Sequence, residues 1–275
     1  MDDGLNDIEL RDAAELRRRL VDWIREQVEA ARMRGVIFGL SGGVDSAVVC
    51  GLAVEALGAG RCLGVIMPAE SVADDARLAR EVAARFDVAT IEVELSKTFA
   101  TLRDTLSAHA EAARAAAHGV GTGTTATGPA ATAPQERLAQ ANLKPRLRMI
   151  TLYYYANLLD YLVVGTGNRA EFTLGYFTKW GDGAADIFPL AELLKHEVWA
   201  VARDLGVPAE VTERAPSAGL WSGQTDEEEM GLRYVQIDRY LATGTSGDAA
   251  VDAEIERRNR SSRHKVAPPP AARLD

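Results

Sequence analysis

Apolar runs alternate with amphipathic stretches through the first hundred residues. Residues 10–33 carry apolar side chains at helical spacing, and residues 36–40 (VIFGL) are almost continuously apolar. Further apolar runs at 62–67 and 88–95 predict two more strands, with helices predicted at 45–57 and 74–86 between them. Strands that alternate with helices of crossover length predict an α/β fold. We expect a Rossmann-like, doubly wound and mostly parallel sheet with helices on both faces.

The second half continues this pattern after an unusual interval. Residues 108–135 are mostly Ala, Gly and Thr, which predicts a mobile low-complexity loop. A helical pattern then extends from Gln135 to Leu159, with an interruption expected at Pro145, and residues 161–164 form a fourth apolar run. Helices are expected at 190–205, 227–242 and 251–260, followed by a polar tail over 261–275. One α/β domain over 1–275 accommodates all of these elements.

Composition excludes several classes of protein. The chain is 47% hydrophobic and 26% charged, as expected of a folded globular protein, and its net charge of −9 argues against a nucleic-acid partner. Cys50 and Cys62 show no CxxC spacing, which argues against a zinc or disulfide scaffold. No signal peptide and no run of about 18 apolar residues is present, so we expect a cytoplasmic protein without a membrane partner.

The first chemical signal is the segment GLSGGVDS, which lies between a predicted strand and a predicted helix. It comprises Gly39, Leu40, Ser41, Gly42, Gly43, Val44, Asp45 and Ser46. Glycines at such a turn let backbone N–H groups approach an anion, and the start of the helix adds a favourable dipole. The serine hydroxyls can donate hydrogen bonds and Asp45 can hold a divalent metal, so a pyrophosphate is the expected ligand. An ordinary helix cap is the alternative.

This spacing matches neither GxGxxG nor GxxxxGK[ST]; it resembles the pyrophosphate loop of ATP pyrophosphatases, of the adenine nucleotide alpha-hydrolase type. Those enzymes cleave ATP between the α- and β-phosphates, which implies that a substrate is adenylated. Four further segments resemble those of the NAD synthetase family, in the family's order and spacing. They are 142–149 (NLKPRLRM), 165–171 (GTGNRAE), 175–183 (GYFTKWGDG) and 216–221 (PSAGLW). The resemblance extends from about residue 10 to 265, except for 108–135.

The resemblance implies a ligase that forms a carbon–nitrogen bond. ATP would adenylate the nicotinate carboxylate of deamido-NAD, and ammonia would then displace AMP to give NAD. The resemblance also implies a Mg²⁺ requirement and a homodimer, for which the helix carrying Tyr153, Tyr154 and Tyr155 is a candidate face. The chain has no room for a glutaminase domain, so free ammonia is the expected nitrogen source, although a separate glutaminase subunit remains an alternative.

The resemblance also implies a role for individual residues. It assigns catalysis to Asp45, Ser46, Glu171 and Lys195, and magnesium to Asp45 and Glu171. It assigns ATP binding to residues 39–46, Thr166, Lys195 and Ser217. It assigns deamido-NAD binding to Arg146, Lys179, Asp186, His264 and Lys265. Ser217 stands where the family commonly has threonine, and Ala184 and Ala185 stand where it often repeats glycine.

The positions of two of these residues agree with their assigned roles. Glu171 follows a glycine turn after the fourth predicted strand, at the sheet edge where α/β folds bind ligands. Lys195 lies in the first turn of a predicted helix, where a lysine gains nothing from the helix dipole and phosphate binding is a better explanation. A helix-capping glutamate and a solvated lysine are the alternatives.

Two other functions compete with this interpretation. Another adenylating enzyme of the same loop type, such as a GMP synthetase domain or a tRNA-thiolating enzyme, would share the first loop. Net acidity and the lack of zinc-type cysteines argue against tRNA. A degenerate nucleotide-binding module would have lost Asp45, Glu171 or Lys195, and all three are present.

Overall fold

A parallel sheet lies at the centre of the computed structural model, which describes residues 8–118, 133–217 and 225–272. The strands are β1 (Gly35–Gly39), β2 (Cys62–Ile66), β3 (Ala89–Glu92) and β4 (Tyr161–Val163). Their order across the sheet is β3-β2-β1-β4, and all three pairings are parallel. Val36 aligns with Cys62 on one side and with Leu162 on the other. The predicted parallel α/β architecture is confirmed.

Helices follow the strands in the order expected of crossover connections. Their bounds are α1 (Ala13–Ala30), α2 (Val44–Leu57), α3 (Ala73–Arg85), α4 (Ser96–Ala108), α5 (Ala110–His118), α6 (Ala133–Ala141), α7 (Leu143–Leu159), α8 (Arg169–Leu174), α9 (Lys195–Leu205), α10 (Ala209–Thr212), α11 (Asp226–Met230), α12 (Tyr234–Thr243) and α13 (Ala249–Val266). Among these described residues, no helix combines the length and the apolar character needed to span a bilayer.

Helices cover both faces of the sheet, as predicted. Val36 and Phe38 on β1 are fully buried in the larger core, which also contains apolar residues of α1, α2 and α9. Ile37, between them, points to the opposite face and packs with Val65, Val163 and apolar residues of α7. Alternate side chains of one strand therefore enter two cores, which explains why the run 36–40 is apolar throughout.

The structure corrects several predicted boundaries. The break in the helical pattern at 135–159 falls at Asn142, between α6 and α7, and not at Pro145. Pro145 lies in the first turn of α7, where its missing N–H has no partner in the helix. The helix expected at 227–242 is divided into α11 and α12 at Gly231, whose φ is 64°.

Two segments predicted to lack regular structure contain helix. Within 108–135, α5 occupies Ala110–His118 and α6 begins at Ala133, while residues 119–132 lie outside the described residues. Alanine is the best helix former, so an alanine-rich segment is also a helical one. The polar tail differs as well, because α13 continues to Val266.

Both cysteines are free and lie in the core. Cys50 is fully buried within α2, and Cys62 opens β2 with 4% of its surface exposed. Burial raises the pKa of each thiol to about 12. A thiol with such a pKa carries almost no thiolate near pH 8, and only the thiolate is reactive.

We therefore expect the native protein to resist Ellman's reagent at pH 8, with both thiols reacting once denaturant is added. The measurement is the absorbance of the released thionitrobenzoate with and without guanidinium. Rapid reaction of one thiol in the native state would show that the core around Cys50 or Cys62 opens far more readily than this packing implies.

Candidate functional site

The site lies where the order of the strands reverses. β1 is followed by α2 on one side of this point and β4 by α8 on the other, so the loops after two adjacent strands meet at one crevice. Open α/β sheets bind ligands at such a place. The loop after β1 contains Gly42 at a φ of 80°, where an added Cβ would lie 2.5 Å from the carbonyl oxygen of Asp75. Only glycine fits this turn without a shift of the backbone.

Hydrogen bonds within the glycine loop fix its shape. The Ser46 hydroxyl donates to the Gly43 carbonyl at 2.8 Å and accepts from the Ser41 N–H at 3.3 Å. Ser46 is only 5% exposed, so its single proton already has a partner inside the loop. Ser41, by contrast, is exposed. Ser46 therefore supports the loop here, and its expected role toward phosphate stays a prediction.

The other loop residues contribute through their backbone. The Leu40 side chain is 3% exposed and that of Val44 is 4% exposed, and both lie in the larger core. The N–H of Leu40 donates to the Val65 carbonyl and so belongs to the sheet. Gly43 is the N-cap of α2 and has no side chain to satisfy the first N–H groups of that helix. Those N–H groups are the donors that an anion at this position would accept from.

Asn168 joins the two carboxylates predicted to hold magnesium. Its side-chain nitrogen Nδ2 donates to Asp45 Oδ1 at 3.0 Å and to Glu171 Oε1 at 2.9 Å. The two oxygens are therefore separated by no more than about 6 Å, since both lie at hydrogen-bond distance from one atom. Asn168 is fully buried. The structure thus brings Asp45 and Glu171 together across the crevice.

Lys195 lies on the other side of Asp45. Its ammonium nitrogen is 2.6 Å from Asp45 Oδ2, and the residue has no exposed surface. Burial lowers the pKa of Lys195, but attraction by Asp45 and Glu171 outweighs this and the pKa is raised overall, so the ammonium stays charged. Burial, and next the Asp45 carboxylate, raise the pKa of Glu171 well above its usual range. Such perturbed groups in one crevice are typical of functional sites.

Asp238 holds the helix that presents Lys195. This buried carboxylate on α12 accepts hydrogen bonds from the backbone N–H groups of Lys195 at 3.1 Å and His196 at 2.9 Å, and from His196 Nδ1 at 2.6 Å. It therefore satisfies the first N–H groups of α9 from outside the helix. No sequence signal identified Asp238, because it lies 43 residues after Lys195.

Replacing Asp238 by alanine should lower the free energy of unfolding by about 3 kcal/mol, because buried donors would lose their acceptor. Asp248→Ala is the matched control, since Asp248 caps the N-terminus of α13 at an exposed position and its loss should cost about 1 kcal/mol. Urea unfolding of the two variants beside the wild type gives both values. Equal losses would show that Asp238 acts as an ordinary cap.

Asp226 is a further buried acid that the sequence analysis did not identify. It is 5% exposed and accepts hydrogen bonds from the Tyr234 hydroxyl at 2.9 Å and the Tyr176 hydroxyl at 3.3 Å. Burial raises its pKa, while Lys195 opposes that shift. The Lys195 nitrogen also lies 5.1 Å from the centre of the Tyr234 ring. The lysine is therefore enclosed by carboxylates and by an aromatic face.

The basic residues predicted to bind deamido-NAD gather around residues 175–180. The ammonium of Lys265 donates to the Gly175 and Phe177 carbonyls at 2.7 and 2.8 Å. That of Lys179 donates to the carbonyl of His264 at 2.5 Å, and Arg146 Nη2 donates to the carbonyl of Lys179 at 3.3 Å. Four of the five predicted residues therefore lie side by side, with the end of α13 attached to this segment.

The remaining predicted residues are Asp186, Thr166 and Ser217, which lie on other segments of the chain. Asp186 accepts from the Val163 N–H at 2.8 Å and the Tyr153 hydroxyl at 3.1 Å, at the end of β4. Thr166 lines a small cleft together with Glu171 and Asp182. Ser217 is exposed and directly precedes residues 218–224, so most of the predicted PSAGLW segment lies outside the described residues.

The carboxylates of Asp45 and Glu171 suit a magnesium ion that is also bound to the phosphates of a nucleotide. Among residues 8–118, 133–217 and 225–272, no group of three or more His, Cys, Asp or Glu side chains is arranged to hold a metal ion. Mg²⁺ is commonly held by one or two carboxylates together with substrate phosphates, and keeps several waters. Asp45 and Glu171 fit this pattern, while a metal held by the protein alone would need more ligands.

The chain is similar to known proteins over most of its length. The family model described as NAD synthase matches residues 16–269. An NH₃-dependent NAD⁺ synthetase from Carboxydothermus hydrogenoformans is 46% identical over 247 residues, which are 90% of this chain and 92% of the relative. The solved NMN synthetase from Francisella tularensis superposes with a TM-score of 0.81 at 32% identity and covers 96% of this chain and 100% of its own.

One of the similar solved structures belongs to a longer protein. A solved glutamine-dependent NAD⁺ synthetase from Acinetobacter baumannii matches with a TM-score of 0.61 at 25% identity. It covers 96% of this chain, but only 47% of that protein is matched. The loop after β1, the carboxylates beside it and the agreement over nearly the whole sequence lead to one assignment: this chain belongs to the NAD synthase family.

Proposed function

We propose that this chain is an ammonia-dependent NAD synthetase that uses ATP to adenylate the nicotinate carboxylate of deamido-NAD and then amidates it. The observation that supports this most strongly is the cluster of Asp45, Glu171 and fully buried Lys195 beside a glycine loop at the strand-order reversal. Acidic groups for a divalent metal and a fixed ammonium together suit a triphosphate. The other adenylating enzymes of this loop type and the degenerate module lack support from the comparisons.

In the first step a carboxylate oxygen of the substrate attacks the α-phosphorus of ATP, and pyrophosphate leaves. Negative charge builds up on the departing phosphates. Free N–H groups at the start of α2 and the Lys195 ammonium are suited to stabilise this charge, since they are fixed before the reaction begins. Mg²⁺ bound by Asp45 and Glu171 would neutralise phosphate oxygens as a Lewis acid.

In the second step ammonia attacks the carbonyl carbon of the acyl-adenylate, and AMP leaves with the oxygen that joined the two groups. This chemistry needs no covalent bond to the enzyme. The buried, unreactive thiols of Cys50 and Cys62 are consistent with such a mechanism. Free ammonia is the proposed nitrogen source, and with ATP as a substrate we propose a cytoplasmic location.

Deamido-NAD carries a pyrophosphate of its own, which needs cations separate from those serving ATP. Arg146, Lys179 and Lys265 supply them on one surface, since each contacts residues 175–180 or the end of α13. The three cations now bind backbone carbonyls. We infer that substrate phosphates replace some of these carbonyl acceptors, which would loosen the attachment of α13.

An assay of the purified chain tests the proposed function. ATP, Mg²⁺ and deamido-NAD are supplied with either ammonium or glutamine, and NAD, AMP and pyrophosphate are measured. We expect equimolar NAD and AMP with ammonium and much slower formation with glutamine. Nicotinate mononucleotide is a second acceptor in the same assay, because an NMN synthetase is among the structural neighbours. No AMP-coupled amide formation from deamido-NAD would reject the proposal.

We also propose that the chain forms a homodimer through α7. Three side chains one turn apart on this helix are exposed: Ile150 by 59%, Tyr154 by 64% and Leu158 by 66%. Of the three tyrosines considered from the sequence, only Tyr154 is exposed, because Tyr153 and Tyr155 pack against the smaller core. An apolar stripe of this kind is typical of a surface that a second chain covers.

Tyr154→Glu should convert the dimer to a monomer, because a charge would be buried in an apolar contact. Sedimentation equilibrium of the wild type and the variant measures the mass. Leu106→Glu is the matched control, since Leu106 is an exposed apolar residue (51%) on α4 and should leave the mass unchanged. A wild-type monomer, or a Tyr154→Glu dimer of unchanged affinity, would contradict this interface.

A further inference from the structure

Asn168 lies between the two carboxylates of the site, and neither the shape of the glycine loop nor metal binding by the carboxylates accounts for an asparagine there. Its side chain lies between Asp45 from the loop after β1 and Glu171 from α8, and it is fully buried. We propose that Asn168 is a positioning residue, which holds these two carboxylates at the spacing and orientation that magnesium–ATP requires. The proposal rests on the proposed function, since it concerns the metal of that same site.

Hydrogen bonds at the start of α8 fix the orientation of the Asn168 amide. The N–H of Glu171 donates to Asn168 Oδ1 at 3.2 Å, so the oxygen faces the helix and the nitrogen faces the crevice. In the reverse orientation the amide oxygen would face two carboxylates. The nitrogen has two hydrogens, and each has its own carboxylate acceptor. The amide therefore has one stable orientation, in which it links two segments that are 123 residues apart in sequence.

Glu171 is held by the same residue through a second bond. The backbone N–H of Asn168 donates to Glu171 Oε2 at 3.3 Å, while Nδ2 donates to Oε1. Both carboxylate oxygens are thus fixed by Asn168. Asp45 is fixed in a comparable way, since Oδ1 accepts from Asn168 and Oδ2 from Lys195. Each of these oxygens keeps a lone pair, because a carboxylate oxygen has two acceptor sites.

Capping alone would not require asparagine. Serine, threonine and aspartate cap helices about as well, because the cap needs only an oxygen acceptor. A hydroxyl has one hydrogen and cannot donate to two carboxylates. Aspartate has none and would place a third negative charge between the other two. Lysine or arginine would add a fixed cation where the metal must bind. A neutral group with two donors is what the position requires, and the asparagine amide supplies it.

Groups that orient metal ligands commonly change metal affinity by about 10- to 100-fold. Asn168→Ser keeps the capping oxygen and removes the two-carboxylate link, so it separates the two roles. We expect its affinity for Mn²⁺, measured by electron paramagnetic resonance with α,β-methylene-ATP present, to fall by about 10-fold or more. The Mg²⁺ concentration for half-maximal turnover should rise by a similar factor.

The thermal midpoint of Asn168→Ser should stay within about 5 °C of the wild type, because the cap is retained. Asn259→Ser is the matched control: its side-chain amide donates to the Thr173 carbonyl of the same helix α8, and within the described part of the chain it donates to no carboxylate. That control should bind Mn²⁺ as the wild type does. Asn168→Thr, which also caps and fills more of the space, is the second variant should serine fail to fold.

Wild-type Mn²⁺ affinity and wild-type Mg²⁺ dependence in the Asn168 variants would overturn the proposal and leave Asn168 as a helix cap. Loss of stability without loss of metal affinity would overturn it equally. If the wild type itself binds no Mn²⁺ with the ATP analogue, then the metal site of the proposed function fails first, and this inference fails with it. The wild-type measurement thus distinguishes the two failures.

Discussion

Lys195→Met should lower kcat for NAD formation by about 10²- to 10³-fold, the loss typical when one preorganised donor to a developing charge is removed. Methionine matches the length of the lysine side chain and has no charge. The ammonium it replaces is fully buried, 2.6 Å from Asp45. Because a buried cation meets little screening from water, its effect on a departing pyrophosphate is larger than that of a surface lysine.

Steady-state rates must be compared per folded molecule, since removing one partner of a buried ion pair also destabilises a protein. Lys144→Met is the matched control: Lys144 is 5% exposed and lies 3.9 Å from Glu70, which is not one of the carboxylates that act on Lys195. We expect this control to lose stability while its kcat stays within about threefold of the wild type. Equal loss of kcat in both variants would show that Lys195 matters only for folding.

Asp45→Asn should lower kcat by at least about 100-fold while the protein stays folded. Asparagine has the same shape, but it removes a negative charge from the metal site and turns an amide toward Asn168 or Lys195. Asparagine is nearly isosteric with aspartate and the Asp45 side chain is 19% exposed, so the change leaves no cavity. We expect the free energy of unfolding to fall by about 1–2 kcal/mol for the lost ion pair.

A control for Asp45→Asn is available on the neighbouring helix. Asp75 is 20% exposed and pairs with Arg214 at 2.6 Å, which closely matches the exposure and ion-pair distance of Asp45. Asp75→Asn should therefore reproduce the loss of stability without the loss of turnover. Rates for both variants, divided by the folded fraction from urea unfolding, make the comparison. If the turnover rate of the Asp45→Asn variant falls only as much as its folded fraction, then Asp45 has a structural role and no catalytic one.

The loop chemistry was predictable from sequence because it is local. Residues 39–46 carry their own strand end, glycines and helix start, so the site of the turn follows from neighbouring residues alone. The strands were predictable for a similar reason, since buried parallel strands are short apolar runs. The loop predicted over 108–135 and the helix break predicted at Pro145 differ from the structure. Alanine-rich segments suit a helix as well as a loop, and proline suits the first turn of a helix as well as a break.

The support around the site was not predictable, because it depends on contacts between distant segments. Asn168 and Glu171 show the N-x-x-E pattern of a helix start, which indicates a cap but says nothing of Asp45. That contact exists because β4 pairs with β1, although two strands lie between them in sequence. Asp238 reaches Lys195 in the same indirect way, through the packing of α12 on α9.

The end of helix α13 was also not predictable from the hydrophobic pattern. Its last turns are polar, and a polar terminal segment suggests disorder unless something holds it. Here Lys265 binds two backbone carbonyls of residues 175–177, and Asn259 binds α8. These bonds use polar side chains on a polar helix, so the hydrophobic pattern gives no sign of them.

The proposed reaction passes through an acyl-adenylate, and the transfer of oxygen from the substrate carboxylate to AMP reveals whether that intermediate forms. Deamido-NAD labelled with ¹⁸O in the nicotinate carboxylate is converted with ATP, Mg²⁺ and ammonium, and the products are analysed by mass spectrometry. Attack of the carboxylate on the α-phosphorus predicts one ¹⁸O in each AMP and none in pyrophosphate. AMP without the label, or label found in inorganic phosphate beside ADP, would show that the carboxylate does not attack the α-phosphorus.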